Sequence, residues 1–226
     1  TAEMYAEGGA EEVVGEAIAG QRDRVFLVSK VYPHNASRTG IVEACERSLR
    51  RLGTEHINLY LLHWPGQHPL EETVEAFERL REAGKIGGWG VSNFDVTDMA
   101  HLANPACATN QVLYNLEQRG IEFDLLPWAQ IHLMPLMAYC PIAQAGHLLK
   151  NPVLQDIAAR HDATPAQICL AWVLRNKGVI AIPKAVKPEH IRLNAAAAQL
   201  TLTAEDLHAI DSAWPAPTRK RVLAMV

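Results

Sequence analysis

A (β/α)8 barrel is the fold class that the sequence predicts, and two observations lead to it. Six strand-like segments alternate with helix-like segments over the 226 residues, which is typical of βαβ units and a parallel α/β sheet. Polar or aromatic side chains also occur at or near the carboxyl end of every one of those strands. In a barrel, the loops after the strands build one site at the carboxyl-terminal face, whereas an open doubly wound sheet concentrates its site at one switch point.

The predicted strands are short, apolar, β-prone runs, as expected of a sheet that is buried on both faces. They cover residues 25–31, 57–63, 86–93, 108–114, 135–142 and 178–185. The side chains at or near their ends are Ser29 and Lys30, His63 and Trp64, Ser92 and Asn93, Asn110 and Gln111, Tyr139, and Pro183 and Lys184. The sequence contains no GxGxxG or GxxxxGK[ST] motif, and this absence favours the barrel over the open sheet.

The predicted helices begin and end at capping residues. Thr164 and Thr203 are predicted N-caps, and Pro165 follows the first of them in the opening turn. Glycine just past the end of a helix, as at Gly53 and Gly84, is the expected C-cap. The predicted helices cover residues 10–19, 37–52, 70–83, 165–177 and 204–214.

No linker rich in Pro, Gly or Ser interrupts this pattern, so the sequence predicts one barrel domain over residues 1–226. A closed barrel of this class has eight strands in about 250 residues. Only six strands are predicted here, and a helix precedes the first of them. We therefore expect an N-terminally truncated barrel, whose missing part is absent either from the protein or only from this sequence.

Composition and charge narrow the possible partners. The net charge of −4 gives no basic patch for nucleic acid or an anionic membrane, and no apolar run reaches the roughly 18–20 residues of a membrane span. The N-terminal stretch has no signal-peptide pattern, and the four cysteines form no CxxC pair. We expect a cytoplasmic protein with reduced thiols. No carboxylate or thiol cluster near His63 and His68 completes a metal site, so we expect no metal.

Seven short motifs follow one another along the chain, each at or near a strand end. They are "TAEMY", "LVSK", "LYLLHW", "WGVSNF", "NQVLYN", "MAYCPIAQAG" and "IPKA". Their order and spacing resemble the aldo-keto reductases, which are (β/α)8 barrels that reduce carbonyls with NADPH. The resemblance spans the whole chain and is nearest to bacterial members of the methylglyoxal or 2,5-diketogluconate reductase kind. It implies a monomeric, NADP-dependent oxidoreductase with a small carbonyl substrate.

The resemblance implies that Tyr5, Lys30 and His63 are catalytic. The family also uses an aspartate, which in the family pattern would directly precede Thr1. Carbonyl reduction adds a proton to oxygen, and a phenol of pKa about 10 needs a nearby ammonium to exchange protons near neutrality. We expect Tyr5 to be the general acid, Lys30 to favour its phenolate and His63 to orient the carbonyl. Each residue alone suits a structural role, but their convergence at one barrel face favours catalysis.

The resemblance assigns further strand-end residues to the nicotinamide end of NADPH. Ser92, Asn93 and Gln111 would hydrogen-bond the carboxamide. Unpaired amides inside a barrel mouth would be costly, so a role as ligands suits the two amide side chains. Tyr139 would stack on the nicotinamide ring, although ordinary core packing also explains a tyrosine at this place.

Other residues match the family's contacts with the remainder of the cofactor. Cys140 and Ile142 replace the usual Ser and Leu, and their backbone amides would reach the pyrophosphate. Lys184 matches the lysine that meets the 2′-phosphate. His190 stands where arginine is common, and because imidazole does not grip phosphate bidentately we expect a weakened preference for NADPH. Asn194 matches the asparagine that contacts adenine.

The last predictions concern the residues that line the substrate pocket and the question whether the protein is an enzyme. Tyr32 and Trp64 follow Lys30 and His63, respectively, and would line the pocket, although Trp64 also suits a core position. Two alternatives to an enzyme stay open, a non-catalytic cofactor-binding or regulatory protein on the same scaffold and an inert fragment. The presence of Tyr5, Lys30 and His63 favours the enzyme. The absence of the family's aspartate from this sequence favours the alternatives. The sequence does not specify the physiological substrate.

Overall fold

Six strands form one sheet in the computed structural model of the protein, which describes all 226 residues. They are β1 (Val28–Val31), β2 (Ile57–Leu62), β3 (Ile86–Ser92), β4 (Cys107–Leu113), β5 (Leu136–Tyr139) and β6 (Val179–Ile182), and they neighbour one another in chain order. The pairs β1–β2, β2–β3 and β5–β6 are parallel. Because the strand order never reverses, the sheet lacks the switch point of a doubly wound fold.

Nine α-helices accompany the strands. They are α1 (Gly9–Ile18), α2 (Gly40–Leu52), α3 (Leu70–Glu82), α4 (Val96–Leu102), α5 (Leu125–Ile131), α6 (Pro152–Arg160), α7 (Pro165–Leu174), α8 (Pro188–Ala196) and α9 (Ala204–Ala213). The predicted N-caps Thr164 and Thr203 are confirmed, each within a complete capping box. Gly53 is confirmed as the left-handed C-cap of α2, with φ +61°.

Four helices, α4, α5, α6 and α8, were not predicted because each has only seven to nine residues. Such lengths are too short for a clear apolar periodicity. Cap signals were nevertheless present: Asp95 and Asp98 form a capping box at α4, and Asn151 caps α6 ahead of Pro152.

The first strand is shorter than predicted, because side chains take up the backbone groups of its first residues. Arg22 donates to the Val25 carbonyl at 2.8 Å, and the Leu27 amide donates to the Asn58 side chain at 2.8 Å. Phe26 between them is 70% exposed. The regular strand therefore begins only at residue 28.

Contacts within the chain define two compact units, Thr1–Asn110 and Gln111–Val226. In the core of the first unit, Trp89 stacks on Phe77 with ring centroids 5.5 Å apart, and Tyr60 meets Phe77 edge to face at 6.0 Å. The boundary lies inside β4 and not in a linker, and the prediction of a single domain stays a prediction.

The core of the second unit is built around Trp172. The guanidinium groups of Arg175 and Arg119 lie 3.8 and 5.0 Å from its ring, and Tyr114 packs beside it at 5.2 Å. Glu122 accepts hydrogen bonds from all three of those side chains. A half-buried carboxylate with several charged donors fixes the surrounding elements strongly.

The cysteines, the possible metal ligands and the lengths of the helices are described last. All four cysteines are free, and burial raises the pKa of Cys45, Cys107 and Cys169 to about 12, so those thiols stay protonated. No group of three or more His, Cys, Asp and Glu side chains is arranged to hold a metal ion. None of the helices is long and apolar enough to cross a membrane.

Candidate active site

Lys30 and Tyr5 lie in direct contact in the first unit. Lys30 is the third residue of β1 and is 4% exposed. Its ammonium nitrogen donates to the Tyr5 hydroxyl oxygen at 3.1 Å and to the Thr1 carbonyl at 3.1 Å. The Glu3 amide donates to the Lys30 carbonyl at 3.2 Å, so the backbone before Tyr5 is tied to β1. The structure thus brings together two of the three predicted catalytic residues.

His63, the third predicted catalytic residue, follows β2 directly and is buried. Its ring lies 5.7 Å from the Tyr5 ring in an edge-to-face arrangement, and its Nδ1 has no hydrogen-bond partner. Burial, followed by the charge of Lys30, lowers the pKa of His63 from 6.5 to about 3. Burial also lowers the pKa of Lys30 from 10.5 to about 8. At neutral pH the cluster therefore holds a Lys30 ammonium and a neutral His63 imidazole beside the Tyr5 side chain.

A wall of aromatic rings continues from His63. Trp64 lies 4.9 Å from the His63 ring, Tyr32 meets Trp64 edge to face at 5.8 Å, and His34 lies 4.7 Å from Tyr32. The two predicted substrate residues, Tyr32 and Trp64, are therefore in contact. The sequence prediction missed His34, because an exposed histidine in a short turn is typical of a protein surface.

Ser92 and Asn93 lie where β3 ends, beside the carboxyl end of β2. The Asn93 side-chain amide donates to the His63 carbonyl at 3.1 Å and to the Ser92 hydroxyl oxygen at 3.2 Å. Asn93 has φ +60°, a conformation that asparagine adopts more readily than most residues. Asn110 donates to the Phe94 carbonyl at 2.7 Å and so holds the turn that follows. Two cofactor residues predicted from the sequence are thus placed next to His63.

Gln111 and Tyr139 lie in the second unit, on β4 and at the end of β5. Gln111 is buried, and its amide nitrogen lies 3.8 Å from the Met137 sulfur. The Tyr139 carbonyl accepts a hydrogen bond from the Tyr114 amide at 3.4 Å, and its side chain is half-buried. A half-buried tyrosine at a strand end can still present a ring face to a ligand.

The segment after β5 carries the two residues predicted for the pyrophosphate. The Cys140 carbonyl accepts a hydrogen bond from the Asn115 side chain at 2.9 Å, and Cys140 itself has φ +48°. The Ile142 carbonyl accepts one from the Ala145 amide at 2.7 Å. Residues 143–146 all have positive φ, between +46° and +64°. The segment after β5 is therefore a turn with left-handed backbone, directly behind the two residues predicted for the pyrophosphate.

Lys184, His190 and Asn194 follow β6. Lys184 lies two residues past the strand and is exposed, and His190 lies in the first turn of α8. Asn194 lies one turn further along the same helix and lines a cavity of about 500 Å³ together with Pro183 and Ile191. The amino-terminal turn of a helix attracts anions, because its amides and dipole point outwards.

The sequence matches the Aldo/keto reductase family over residues 1–215. The chain belongs to this family. Methylglyoxal reductase YeaE of Escherichia coli (strain K12) is 55% identical over the whole of this chain, which spans 82% of that protein.

Two crystal structures of an aldo/keto reductase from Klebsiella pneumoniae, one in complex with NADP and acetate and one with NADPH, have the same fold. In each case the TM-score is 0.98 at 55% identity, over all of this chain and 82% of the crystallised one. The predicted fold and family are thus confirmed: six strands of the aldo/keto reductase (β/α)8 barrel lie in this chain.

The chemistry of the residues in this reductase chain fits a nicotinamide dinucleotide phosphate. Ser92 and Asn93 offer a hydroxyl and an amide, which suit the carboxamide of nicotinamide. Tyr139 offers an aromatic face, and Lys184 offers an exposed cation near the amino-terminal turn of α8, which suits a phosphate.

Two buried carboxylates near the candidate site were missed by the sequence prediction. Glu3 accepts hydrogen bonds from the Tyr32 amide at 2.7 Å and from the Asn35 side chain at 3.0 Å, so it fixes the start of the aromatic wall. Glu11 is fully buried in α1. Its position seven residues before Ile18, on the same helical face, indicates the buried side of α1 but neither of its partners.

Proposed function

We propose that this reductase converts small reactive aldehydes and α-dicarbonyls to alcohols with NADPH, and that Tyr5 is the proton donor. The reaction class, NADPH-dependent carbonyl reduction by an NADP-dependent oxidoreductase, follows from membership of the family and from the nucleotides in the Klebsiella pneumoniae structures. The observation that carries the catalytic assignment is the 3.1 Å contact between the Lys30 ammonium and the Tyr5 hydroxyl.

Proton transfer from Tyr5 is the step for which this cluster is suited. When bound, the cofactor supplies the hydride, and negative charge develops on the carbonyl oxygen of the substrate. Tyr5 gives its proton to that oxygen as general acid. The Lys30 ammonium, donating to the phenolic oxygen, stabilises the phenolate that is left behind.

His63 orients the carbonyl as a neutral imidazole. Burial keeps the pKa of His63 at about 3, so the ring donates from only one nitrogen at neutral pH. An unpaired buried N–H costs more than an unpaired acceptor, and Nδ1 has no partner. Nε2 is therefore the protonated atom, an assignment that rests on this hydrogen-bond argument. It donates a hydrogen bond to the substrate oxygen.

Each unit is proposed to supply its own contacts with the nicotinamide end of the cofactor. In the first unit, Ser92 and Asn93 bind the carboxamide. In the second unit, Gln111 offers an amide for the carboxamide and Tyr139 offers a ring face for stacking on nicotinamide. The hydroxyl and amides supply the donors and acceptors that a carboxamide needs.

The remaining contacts lie with the phosphates and the adenosine. Backbone amides of Cys140 and Ile142 bind the pyrophosphate, and the position of both residues directly after β5, at its carboxyl end, supports this. Lys184 pairs with the 2′-phosphate, and His190 lies near that phosphate at the start of α8. Asn194 contacts the adenine.

The substrate pocket is proposed to be small and aromatic. Tyr32, Trp64 and His34 form the wall that continues from His63, and Trp64 touches His63 directly. Such a wall suits a short, planar dicarbonyl. Methylglyoxal is a compound of this kind, and the similar protein YeaE is named a reductase for it.

We further propose that the protein acts as a cytoplasmic monomer without nucleic-acid or membrane partners. Its free cysteines support a reducing compartment, and its net charge of −4 supports the absence of anionic partners. Light scattering of the purified protein tests the monomer directly.

The proposed function is tested by measuring NADPH consumption with methylglyoxal, glyoxal and a bulky aromatic ketone. We expect turnover with the two dicarbonyls, with higher kcat/KM than for the ketone, and slower turnover with NADH. Tight binding of NADPH without consumption of any carbonyl would contradict the proposal.

A further inference from the structure

A buried ion pair lies beside the candidate catalytic cluster and has no role in the proposed chemistry. Glu11 of α1 is fully buried, and Arg51 of α2 is its partner. Two nitrogens of Arg51, Nε and Nη2, lie 2.7 and 2.6 Å from one Glu11 oxygen. A carboxylate without solvent is tolerated only when it is paired and hydrogen-bonded, so the position of this pair is strongly fixed.

The pair is attached to the strand that carries Lys30. The second oxygen of Glu11 accepts a hydrogen bond from the Ser29 hydroxyl at 2.5 Å. Ser29 and Lys30 are successive residues of β1, so their side chains point to opposite faces of the sheet. Glu11 thus holds β1 from one face at the position where the other face presents the ammonium to Tyr5.

The same pair supports the turn that carries Tyr5. Ala6, Glu7 and Gly8 have φ values of +51°, +54° and +97°, and left-handed backbone is strained at the first two. A Cβ on Gly8 would lie 2.7 Å from Cδ and Nε of Arg51, so the arginine side chain packs directly against this glycine. Strained turns persist where their surroundings determine them, and Arg51 is such a contact.

We propose that Glu11 and Arg51 form a positioning pair that holds the Tyr5 hydroxyl and the Lys30 ammonium at their 3.1 Å separation. The inference rests on the proposed function, because it takes Tyr5 as the proton donor. Loosening the pair displaces the Tyr5 turn relative to β1 and slows proton transfer. Displacements of about 1 Å at a reacting group can cost about 10²-fold in rate.

The test is a double-mutant cycle between Arg51→Lys and Tyr5→Phe. Arg51→Lys keeps the charge beside Glu11, so the protein still folds, but it removes the two-nitrogen contact. Arg50→Lys is the matched control, since Arg50 is the exposed neighbour on the same helix. Ser29→Ala is a second variant, because it removes the hydroxyl that ties Glu11 to β1 without changing any charge.

We expect Arg51→Lys and Ser29→Ala each to lower kcat by about tenfold or more. NADPH affinity should change by less than about twofold, and neither variant should lower the residual rate further when Tyr5 is already phenylalanine. An equal fold-loss of kcat in the wild-type and Tyr5→Phe backgrounds, or no loss of kcat in either, would overturn the positioning role. If Tyr5→Phe alone kept full activity, the proposed function would be wrong as well. The single Tyr5→Phe variant shows this outcome without any substitution at Arg51.

Discussion

The ammonium nitrogen of Lys30 lies 3.1 Å from the hydroxyl oxygen of Tyr5, and the same tyrosine ring meets His63 edge to face at 5.7 Å. Burial acts in the same direction on both bases, lowering the pKa of Lys30 to about 8 and that of His63 to about 3. Near neutral pH one is therefore charged and the other is not. Separate protonation states of neighbouring groups are what acid–base catalysis requires.

The charge of Lys30 predicts how the rate of reduction depends on pH. Because burial lowers the pKa of Lys30 to about 8, its ammonium is lost as the pH rises through that value. We expect kcat for reduction to fall between about pH 7 and about pH 9, since a neutral amine no longer stabilises the Tyr5 phenolate. Steady-state rates across this range measure the midpoint. In Lys30→Met the rate should be lower by about 10²-fold and the midpoint near pH 8 should vanish; an unchanged profile contradicts the assignment.

Burial of His63 predicts a loss of stability in acid. The pKa of His63 is about 3 in the folded protein and 6.5 as the ordinary value, so between these values the unfolded state binds the extra proton. The free energy of unfolding must then fall as the pH falls below about 6.5. From about pH 7 to about pH 5 the contribution is about 2 kcal/mol.

Urea unfolding of the wild type and of His63→Gln at both pH values measures the contribution of His63 to the free energy of unfolding. The variant should lose about 2 kcal/mol less than the wild type over the same interval. A parallel pH dependence of the two proteins would show that His63 takes up a proton as easily when folded as when unfolded.

The position of His190 leads us to expect that one substitution there raises the affinity for NADPH. It lies in the first turn of α8, where a guanidinium could grip a phosphate with two donors. We expect His190→Arg to tighten NADPH about tenfold, because an exposed charged contact gives less than the roughly 1.5–3 kcal/mol of a buried one. NADH, which lacks the phosphate, is the control. Equal tightening of both cofactors, measured by fluorescence quenching, would place His190 away from the phosphate.

Asp206 predicts a second, structural dependence on pH. It completes the capping box of α9 with Thr203 and accepts hydrogen bonds from Arg160 at 2.6 Å and His161 at 2.7 Å. Although burial acts to raise the pKa of Asp206, these bonds hold it well below the ordinary value of 3.8. The stabilisation is therefore complete above about pH 4 and is lost as the pH falls further.

Replacing Asp206 with Asn should lower the free energy of unfolding at neutral pH by about 2 kcal/mol. Glu205→Gln, on the exposed neighbour, is the matched control and should cost less than about 0.5 kcal/mol. Urea titrations of the two variants measure whether Asp206 stabilises the packing of α6 against α9. Equal free energies of unfolding for the two variants would show that the contacts of Asp206 do not contribute to stability.

The sheet could be predicted from the sequence because strands and caps are local features. The six strands appear as apolar runs, and Thr164 and Thr203 are recognisable from their own helices. The short helices α4 and α5 were missed, because seven residues give less than two full repeats of a helical pattern. The first strand begins later than predicted, at Val28, and this depends on Arg22. Three of the four hydrogen bonds of Arg22 reach partners more than thirty residues away in the chain.

The candidate site could be predicted only where residues stand at strand ends. Lys30 and His63 were found there, and the structure places both beside Tyr5. Glu11 was missed because its value lies in long-range contacts with Ser29 and Arg51, eighteen and forty residues away. Such partners are brought together by packing of α1 against α2, which no local pattern encodes.

The most direct test of the account is single-turnover reduction of methylglyoxal by NADPH-loaded wild type and Tyr5→Phe. The substitution keeps the ring that packs against His63 and removes only the hydroxyl that contacts Lys30. We predict that the rate of NADPH oxidation falls by about 10²–10⁴-fold, while the affinity for NADPH changes by less than about twofold. A Tyr5→Phe enzyme that oxidises NADPH at the wild-type rate would contradict the account, because another group would then donate the proton.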